Sequence, residues 1–285
     1  MEITTKVDDT HPNTAGIRNC IDIRMLPFIG GMHIVKLNII GKNVGTEKFF
    51  EIADFYFQSL YDSRQIINEE WQYVSIENGV SLNLFCPEPD SFKETNSTIY
   101  ANKWRSKIEK ELSCLMEFHY LEIDPEFGEI QIPEKKEFII LKTARFSPLI
   151  EGVSLKQIPL YKIPYTYYDE ECYSDINFWE NNYVRIEGLW FNGAVGEKWA
   201  QNQLQSNNSE LSKQGIECCK KIEEVTGIPT YYYLFNYRAW GKKKDKKRKC
   251  PNCGDDWLVE RVVPNVFYAF KCDKCRLISE FSSNS

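Results

Sequence analysis

The chain has 285 residues, 42% of them hydrophobic and 27% charged, which suits a globular protein with enough chain to bury a real core. Its formal net charge of −6 is unevenly spread: residues 242–249 carry seven bases and one acid, a local +6 that leaves −12 for the remainder. An acidic body joined to a basic segment is not a uniformly basic nucleic-acid binder. Nor is it a membrane protein, because the longest largely apolar stretch, residues 25–35, is short and broken by Pro27, Gly30 and Gly31.

Residues 1–31 are polar and lack a sustained period, so they read as a disordered extension without an export signal, and a cytoplasmic location is expected. Order begins at Met32. Residues 33–40 alternate as a strand does, and Thr46 then looks like the N-cap of a helix carrying Phe49, Phe50, Ala53, Phe57 and Leu60 at helical spacing. Residues 71–76 and 80–85 are strand-like, and the Asn78-Gly79 pair between them signals a hairpin. Ser97 can cap a long helix reaching about Met116, followed by a strand over 118–123. This β-α-β-β-α-β order predicts an α+β fold whose body, residues 32–143, is a ferredoxin-like sandwich; the apolar run 138–141 would add an edge strand to it.

Residues 144–170 hold Pro148, Pro159 and Pro164 and read as an extended connector. Helix-like runs follow at 171–187 and 209–226, the second stopped by Gly227 and Pro229. The aromatic run Tyr231-Tyr232-Tyr233-Leu234-Phe235 is apolar on both faces, which describes a central strand better than a base-stacking platform. Residues 144–237 are thus expected to be a helical extension of the body, 238–249 a basic linker, and 250–285 a separate zinc ribbon.

The ribbon reading rests on two Cys-x-x-Cys knuckles, Cys250/Cys253 and Cys272/Cys275, separated by eighteen residues. Four thiolates suit one structural Zn²⁺ and leave no coordination position open for catalysis. So short a segment cannot bury enough apolar surface alone, and structural zinc is worth roughly 10–16 kcal/mol in small peptides. Residues 257–263 and 266–271 would be its strands, turning at Pro264-Asn265, with Tyr268 and Phe270 packed around the metal. The other cysteines (Cys20, Cys86, Cys114, Cys172, Cys218 and Cys219) show no disulfide framework, as expected in a reducing compartment.

Several segments resemble a bacterial family of Zn-ribbon-containing, possible nucleic-acid-binding proteins of unknown function. They are Met32-His33-Ile34-Val35-Lys36-Leu37 with Gly41-Lys42-Asn43, Ile158-Pro159-Leu160-Tyr161-Lys162-Ile163-Pro164, and Thr226-Gly227-Ile228-Pro229 running into the aromatic strand. Cys250-Pro251-Asn252-Cys253-Gly254 and residues 270–279 complete the match. The resemblance implies an α+β body followed by a ribbon and supplies no activity; members start near Met32, so residues 1–31 are a departure.

The basic octet fits two roles, a grip on phosphate or a solvated linker. On the first, RNA or DNA would be held by Lys242, Lys243, Lys244, Lys246, Lys247, Arg248 and Lys249, with Phe267, Lys271 and Arg276 as the ribbon's contribution. The alternative is a protein-interaction module whose acidic body docks a basic partner, as an immunity protein neutralises a toxin. The three histidines, His11, His33 and His119, are widely spaced and form no catalytic motif, so no enzyme is expected.

Overall fold

The structure is a computed structural model that describes residues 32–123, 132–167, 170–237, 241–259 and 267–282; the extension expected over 1–31 and the turn expected at Pro264-Asn265 lie outside them. Alternation makes β1 (His33–Ile40) half-buried, with Val35, Leu37 and Ile39 turned to the core. Thr46 accepts from the Phe49 amide at 3.2 Å and caps α1 (Glu47–Asp62), whose inner face includes Phe49, Ala53, Phe57 and Leu60. β2 (Val74–Ile76) and β3 (Gly79–Cys86) form a hairpin. Asn78 turns it at φ 58°, and a Cβ on Gly79 would lie 2.2 Å from the Ile39 carbonyl oxygen.

The next helix is shorter than its apolar stripe suggests. Thr98, not Ser97, caps α2 (Ile99–Ser106), accepting from the Ala101 amide at 3.1 Å. A π-helical turn, Lys107–Glu111, closes it, and Ser113 at φ 51° redirects the chain. Leu115 and Met116 therefore open β4 (Leu115–Ile123), where Met116 pairs with Ile39 and is buried. The spacing of Ile108, Leu112 and Met116 fits a helix, but the buried register against β1 wins. These four strands form an antiparallel sheet in the order β2-β3-β1-β4, sharing one core with α1 and α2.

A second sheet has the order β6-β5-β7-β9-β8, from β5 (Ile139–Leu141), β6 (Leu149–Glu151), β7 (Thr230–Tyr233), β8 (Phe270–Cys272) and β9 (Leu277–Ser279). The pairs β5–β7 and β7–β9 are parallel; β5–β6 and β8–β9 are antiparallel. α3 (Ser174–Asn192), α4 (Glu197–Gln205) and α5 (Glu210–Thr226) pack on its core. Ser209 caps α5, and Gly227 ends it in the left-handed conformation.

Three boundaries differ from the sequence reading. The run 138–141 contributes β5 to the second sheet rather than an edge to the first, because its three strand residues are buried on both faces and need neighbours on both sides. Residues 144–170 are more than a connector, since they include β6 and a 3₁₀ turn, Leu160–Lys162. Nor is the ribbon separate: β9 pairs with β7, and Trp257, Phe270, Leu277 and Ile278 share a buried cluster with Leu149, Trp179 and Tyr232. Strands of three residues cannot bury such side chains alone.

The two sheets meet along a polar seam. Arg64 pairs with Glu180, Asn177 donates to the Asp62 carbonyl at 3.0 Å, and the Tyr161 hydroxyl donates to Glu88 at 2.8 Å. Among the described residues no helix is long and apolar enough to cross a membrane.

Candidate metal centre

Two knuckles of similar shape bring four cysteines together. In the first, the Cys250 amide donates to the Asp255 carbonyl and the Gly254 amide to the Cys250 carbonyl, both at 2.9 Å, with Gly254 at φ 77°. The second, Cys272 to Cys275, is the turn between β8 and β9, and there Arg276 occupies the left-handed position at φ 53°. A side chain in that conformation is strained. The strain is offset by two hydrogen bonds from the guanidinium to Glu223, at 2.9 and 2.8 Å, and one to the Asp273 carbonyl at 2.7 Å. Those bonds hold Glu223 below the usual carboxylate range.

The four Sγ atoms lie within 4.8 Å of one another, and Cys253 and Cys272 are 3.7 Å apart. Thiolates at the usual ~2.3 Å from a tetrahedral ion stand about 3.8 Å apart, so this donor set fits one metal ion. Cys250 and Cys272 are buried, while Cys253 and Cys275 are half-buried. Asn252 donates to the Cys275 sulfur at 3.3 Å, an outer contact of the kind that fixes a ligand's direction. Burial pushes the Cys272 thiol up to about 12. At Cys275 burial acts in the same sense, but hydrogen bonds from Asn252 and the neighbouring thiols outweigh it and the net direction is down. A bound cation favours thiolate at every position.

The packing around the cage differs in part from expectation. Trp257 and Phe270 pack against each other with tilted rings 5.2 Å apart, and the Arg248 guanidinium lies over both rings at 4.7 and 4.3 Å. Tyr268 turns instead to the first half of the second sheet, where it meets Phe138 and donates to the Gly152 carbonyl at 3.2 Å.

Residues 242–249 are not a loose linker. They open with a short turn of helix, α6 (Lys242–Asp245), anchored by the one acid in the octet. The Asp245 carboxylate is fully buried; it accepts from the Ser282 amide at 2.7 Å and from Asn236 at 3.3 Å, and pairs with Arg248 at 3.4 Å. Arg248 is therefore removed from the set of phosphate contacts. Its side chain is 8% exposed and donates to the Ser279 hydroxyl at 3.0 Å and the Glu280 carbonyl at 3.1 Å. Burying a guanidinium demands such partners, and the ribbon supplies them. Lys242, Lys243, Lys244, Lys246, Lys247 and Lys249 remain exposed, Lys249 paired with Asp256 at 2.6 Å.

The other expected contacts are already engaged. Phe267 packs on Tyr233 at 5.8 Å, Lys271 pairs with Asp273 and covers the Tyr231 ring at 4.5 Å, and Arg276 is held by Glu223. The sequence reading missed Asp245 as the anchor. Its signal was there: a single carboxylate among seven bases is the natural buried partner for one of them.

Fold and site define the class, a two-sheet α+β protein whose second sheet carries a four-cysteine cluster consistent with one metal ion on a β-hairpin. Residues 134–235 match a family model described as a domain of unknown function, DUF2310, and residues 240–285 match a second, DUF8594. The first spans β5 through β7, and the second spans the basic turn and the ribbon. A Haemophilus influenzae protein called "Uncharacterized protein" is 33% identical over 230 residues, covering 77% of this chain and 86% of its own length. Another from the same bacterium, with the same printed name, is 37% identical over 138 residues, 48% of this chain and 66% of its own. The chain belongs to this bacterial DUF2310/DUF8594 family. No solved structure matches it.

Proposed function

We propose that this is a non-enzymatic cytoplasmic protein that holds one structural Zn²⁺ through Cys250, Cys253, Cys272 and Cys275 and associates with nucleic acid through the lysines of its basic turn. Four sulfur donors favour zinc over the oxygen-seeking Mg²⁺ and Ca²⁺, and a four-coordinate cage has no position left for substrate. The all-antiparallel order β2-β3-β1-β4, with helices after β1 and β3, supports a ferredoxin-like sandwich for the first unit.

One observation carries the nucleic-acid reading: buried Asp245 pins the basic turn to the ribbon, so that Lys242, Lys243, Lys244, Lys246 and Lys247 stand exposed on a fixed base. Fixed charges lose less conformational freedom on binding than charges on a flexible tail. Arg248, Phe267, Lys271 and Arg276 drop out of the contact set because each is committed to the fold.

Salt titration tests this directly. Five lysines on a single strand give a slope of log affinity against log salt of roughly −3.5, and changing Lys243, Lys246 and Lys247 to Gln should make it shallower by about 2. An unchanged slope rules out the turn as the contact. Nuclease-resistant capture of one basic protein would instead favour docking by the acidic body.

A further inference from the structure

The first sheet ends in a strand with nothing on its outer side. Among the described residues β4 pairs only with β1, so along its other edge the backbone N–H and C=O groups are unpaired. Such an edge is a template for another strand, and proteins commonly blunt it with proline, lysine or a covering loop. β4 contains neither proline nor lysine, and Leu115, Tyr120 and Leu121 are 57%, 49% and 48% exposed along it. From Leu115 to Tyr120 it keeps one unbroken register with β1, and the bulge falls only beyond, at Leu121.

The residues of that run select its partner. On the face away from the core, Glu117 stands beside Asn38 of β1 and His119 beside Lys36, with His119 Nε2 3.6 Å from Glu117 Oε2. An acid and a histidine two positions apart are their own complement when the strand is reversed. In two antiparallel copies of β4 centred on Phe118, each Glu117 meets His119 of the other copy, and Phe118 meets its counterpart on the opposite face. Neighbouring registers that keep the faces matched do worse. One sets Glu117 against Glu117; the other sets His119 against His119 and leaves Glu117 facing the bulge. A slip by a single residue turns every side chain to the wrong face.

We infer that β4 is a self-association edge, at which two copies of this chain join across a twofold axis at Phe118 and their four-stranded sheets become one continuous sheet. The occupant is a second copy, because both members of each charge pair come from this one strand. Phe118 is half-buried and packs on Phe92 at 4.9 Å, so the pair at the axis extends an aromatic contact present within each copy. At both ends of the paired run, Leu115 of one copy lies beside Leu121 of the other, which covers the exposed apolar surface there. Each copy contributes the same residues, so the interface closes on itself at two. The inference is independent of the nucleic-acid reading, since this edge lies in the first sheet and the basic turn is pinned to the ribbon.

Sedimentation velocity of the full-length, zinc-loaded, nuclease-treated chain over a concentration series should show a monomer–dimer equilibrium. Glu117→Lys alone opposes two bases and His119→Glu alone opposes two acids. Each should weaken the dimer by roughly tenfold, since each change is felt at both symmetry-related pairs. An equimolar mixture of the two variants should regain the wild-type dimer, because every charge contact in the mixed pair is again acid against base. Both side chains are exposed, so neither change should move the melting temperature of the monomer. Hydrogen exchange needs no variant: the amides of β4 should gain protection with concentration, while those of β2 at the opposite edge should not. A monomer at every concentration overturns the inference. So does a dimer that neither variant weakens, one that the mixture fails to restore, or one whose added protection falls outside β4, since association would then run through another surface.

Discussion

The two sheets of this molecule are made in opposite ways. The first draws on strands that follow one another between His33 and Ile123, three of them eight or nine residues long, and encloses its own core. The second gathers strands of three or four residues from positions as far apart as Ile139 and Ser279. Its central aromatic strand, β7, is flanked on one side by β9, which belongs to the metal-binding hairpin. A four-cysteine site of the kind usually pictured as stabilising a small tethered module therefore lies at the end of a larger sheet.

The largest effect expected from this arrangement follows removal of the metal or a Cys272→Ser change. Loss of the cage should cost several kcal/mol, a fraction of the roughly 10–16 kcal/mol that structural zinc is worth in isolated peptides. Hydrogen exchange should show where. The Tyr232 and Leu234 amides donate at 2.8 Å to the Arg276 and Ile278 carbonyls, so they should lose protection while the amides of β1 keep theirs. Protection that survives chelation at Tyr232 and Leu234 would restore the picture of an independent ribbon.

Next in size is Asp245→Ala, which leaves the buried Arg248 without its counter-charge. Removal of one partner from a buried pair costs about 3–5 kcal/mol. Urea denaturation should register that loss. The salt slope for single-strand binding should become shallower with all the lysines present, because the turn that displays them is no longer pinned. A variant with full stability would show that Ser279 and the Glu280 carbonyl suffice to hold Arg248.

The same contrast decides what could be read from the sequence. β1, α1 and the hairpin at Asn78 were legible because each is specified by neighbouring residues: alternation, a cap at Thr46, and a turn pair. The cysteine cluster was legible because its chemistry is carried by spacing. Of the second sheet only the aromatic central strand was legible, from residues apolar on both faces; the rest was not, since a three-residue strand such as Leu277–Ser279 carries no period and its partner β7 lies more than forty residues away. Charge was misleading in the octet. Composition makes Arg248 look like its neighbours, and only the buried carboxylate of Asp245 separates it from the exposed lysines. The Ile108–Leu112–Met116 spacing misled for a different reason, because a stripe can continue from a helix into a strand when both face one core.

Packing of the second core can be probed with two glycines. A Cβ on Gly215 in α5 would lie 2.2 Å from the Tyr232 ring and 2.6 Å from the Trp179 indole nitrogen. Gly215→Ala should therefore destabilise by about 1–3 kcal/mol through overpacking. Gly188 in α3 has nothing within 4 Å of the same position, so Gly188→Ala should stabilise by about 0.5–1 kcal/mol through helix propensity alone. Thermal melts of the two variants should move in opposite directions. Stabilisation by both would mean that α5 can shift away from β7, and that the second core is looser than its burial implies.

The smallest expected effect is a slope, and it tests the seam where the two sheets meet. Glu180 of α3 is buried against Arg64, and burial raises its carboxyl above the ordinary value of 4.5 even though the guanidinium pulls the other way. A raised acid favours folding most when it is protonated. Its contribution is full below about 4.5 and is lost as pH climbs through the higher value it has in the folded chain. Glu180→Gln keeps an acceptor for Arg64 but cannot ionise, so its stability lacks this component. The difference between wild-type and variant stability should fall with rising pH across that window, by no more than about 1.4 kcal/mol per pH unit for a single proton. Protonation of the cysteine cluster in acid is common to both proteins and cancels in the difference. A difference that rises with pH would show that Arg64 more than compensates for desolvation, in which case the ionised pair holds the sheets together; a falling one makes the seam a place where the molecule accepts a cost to keep its two halves in register.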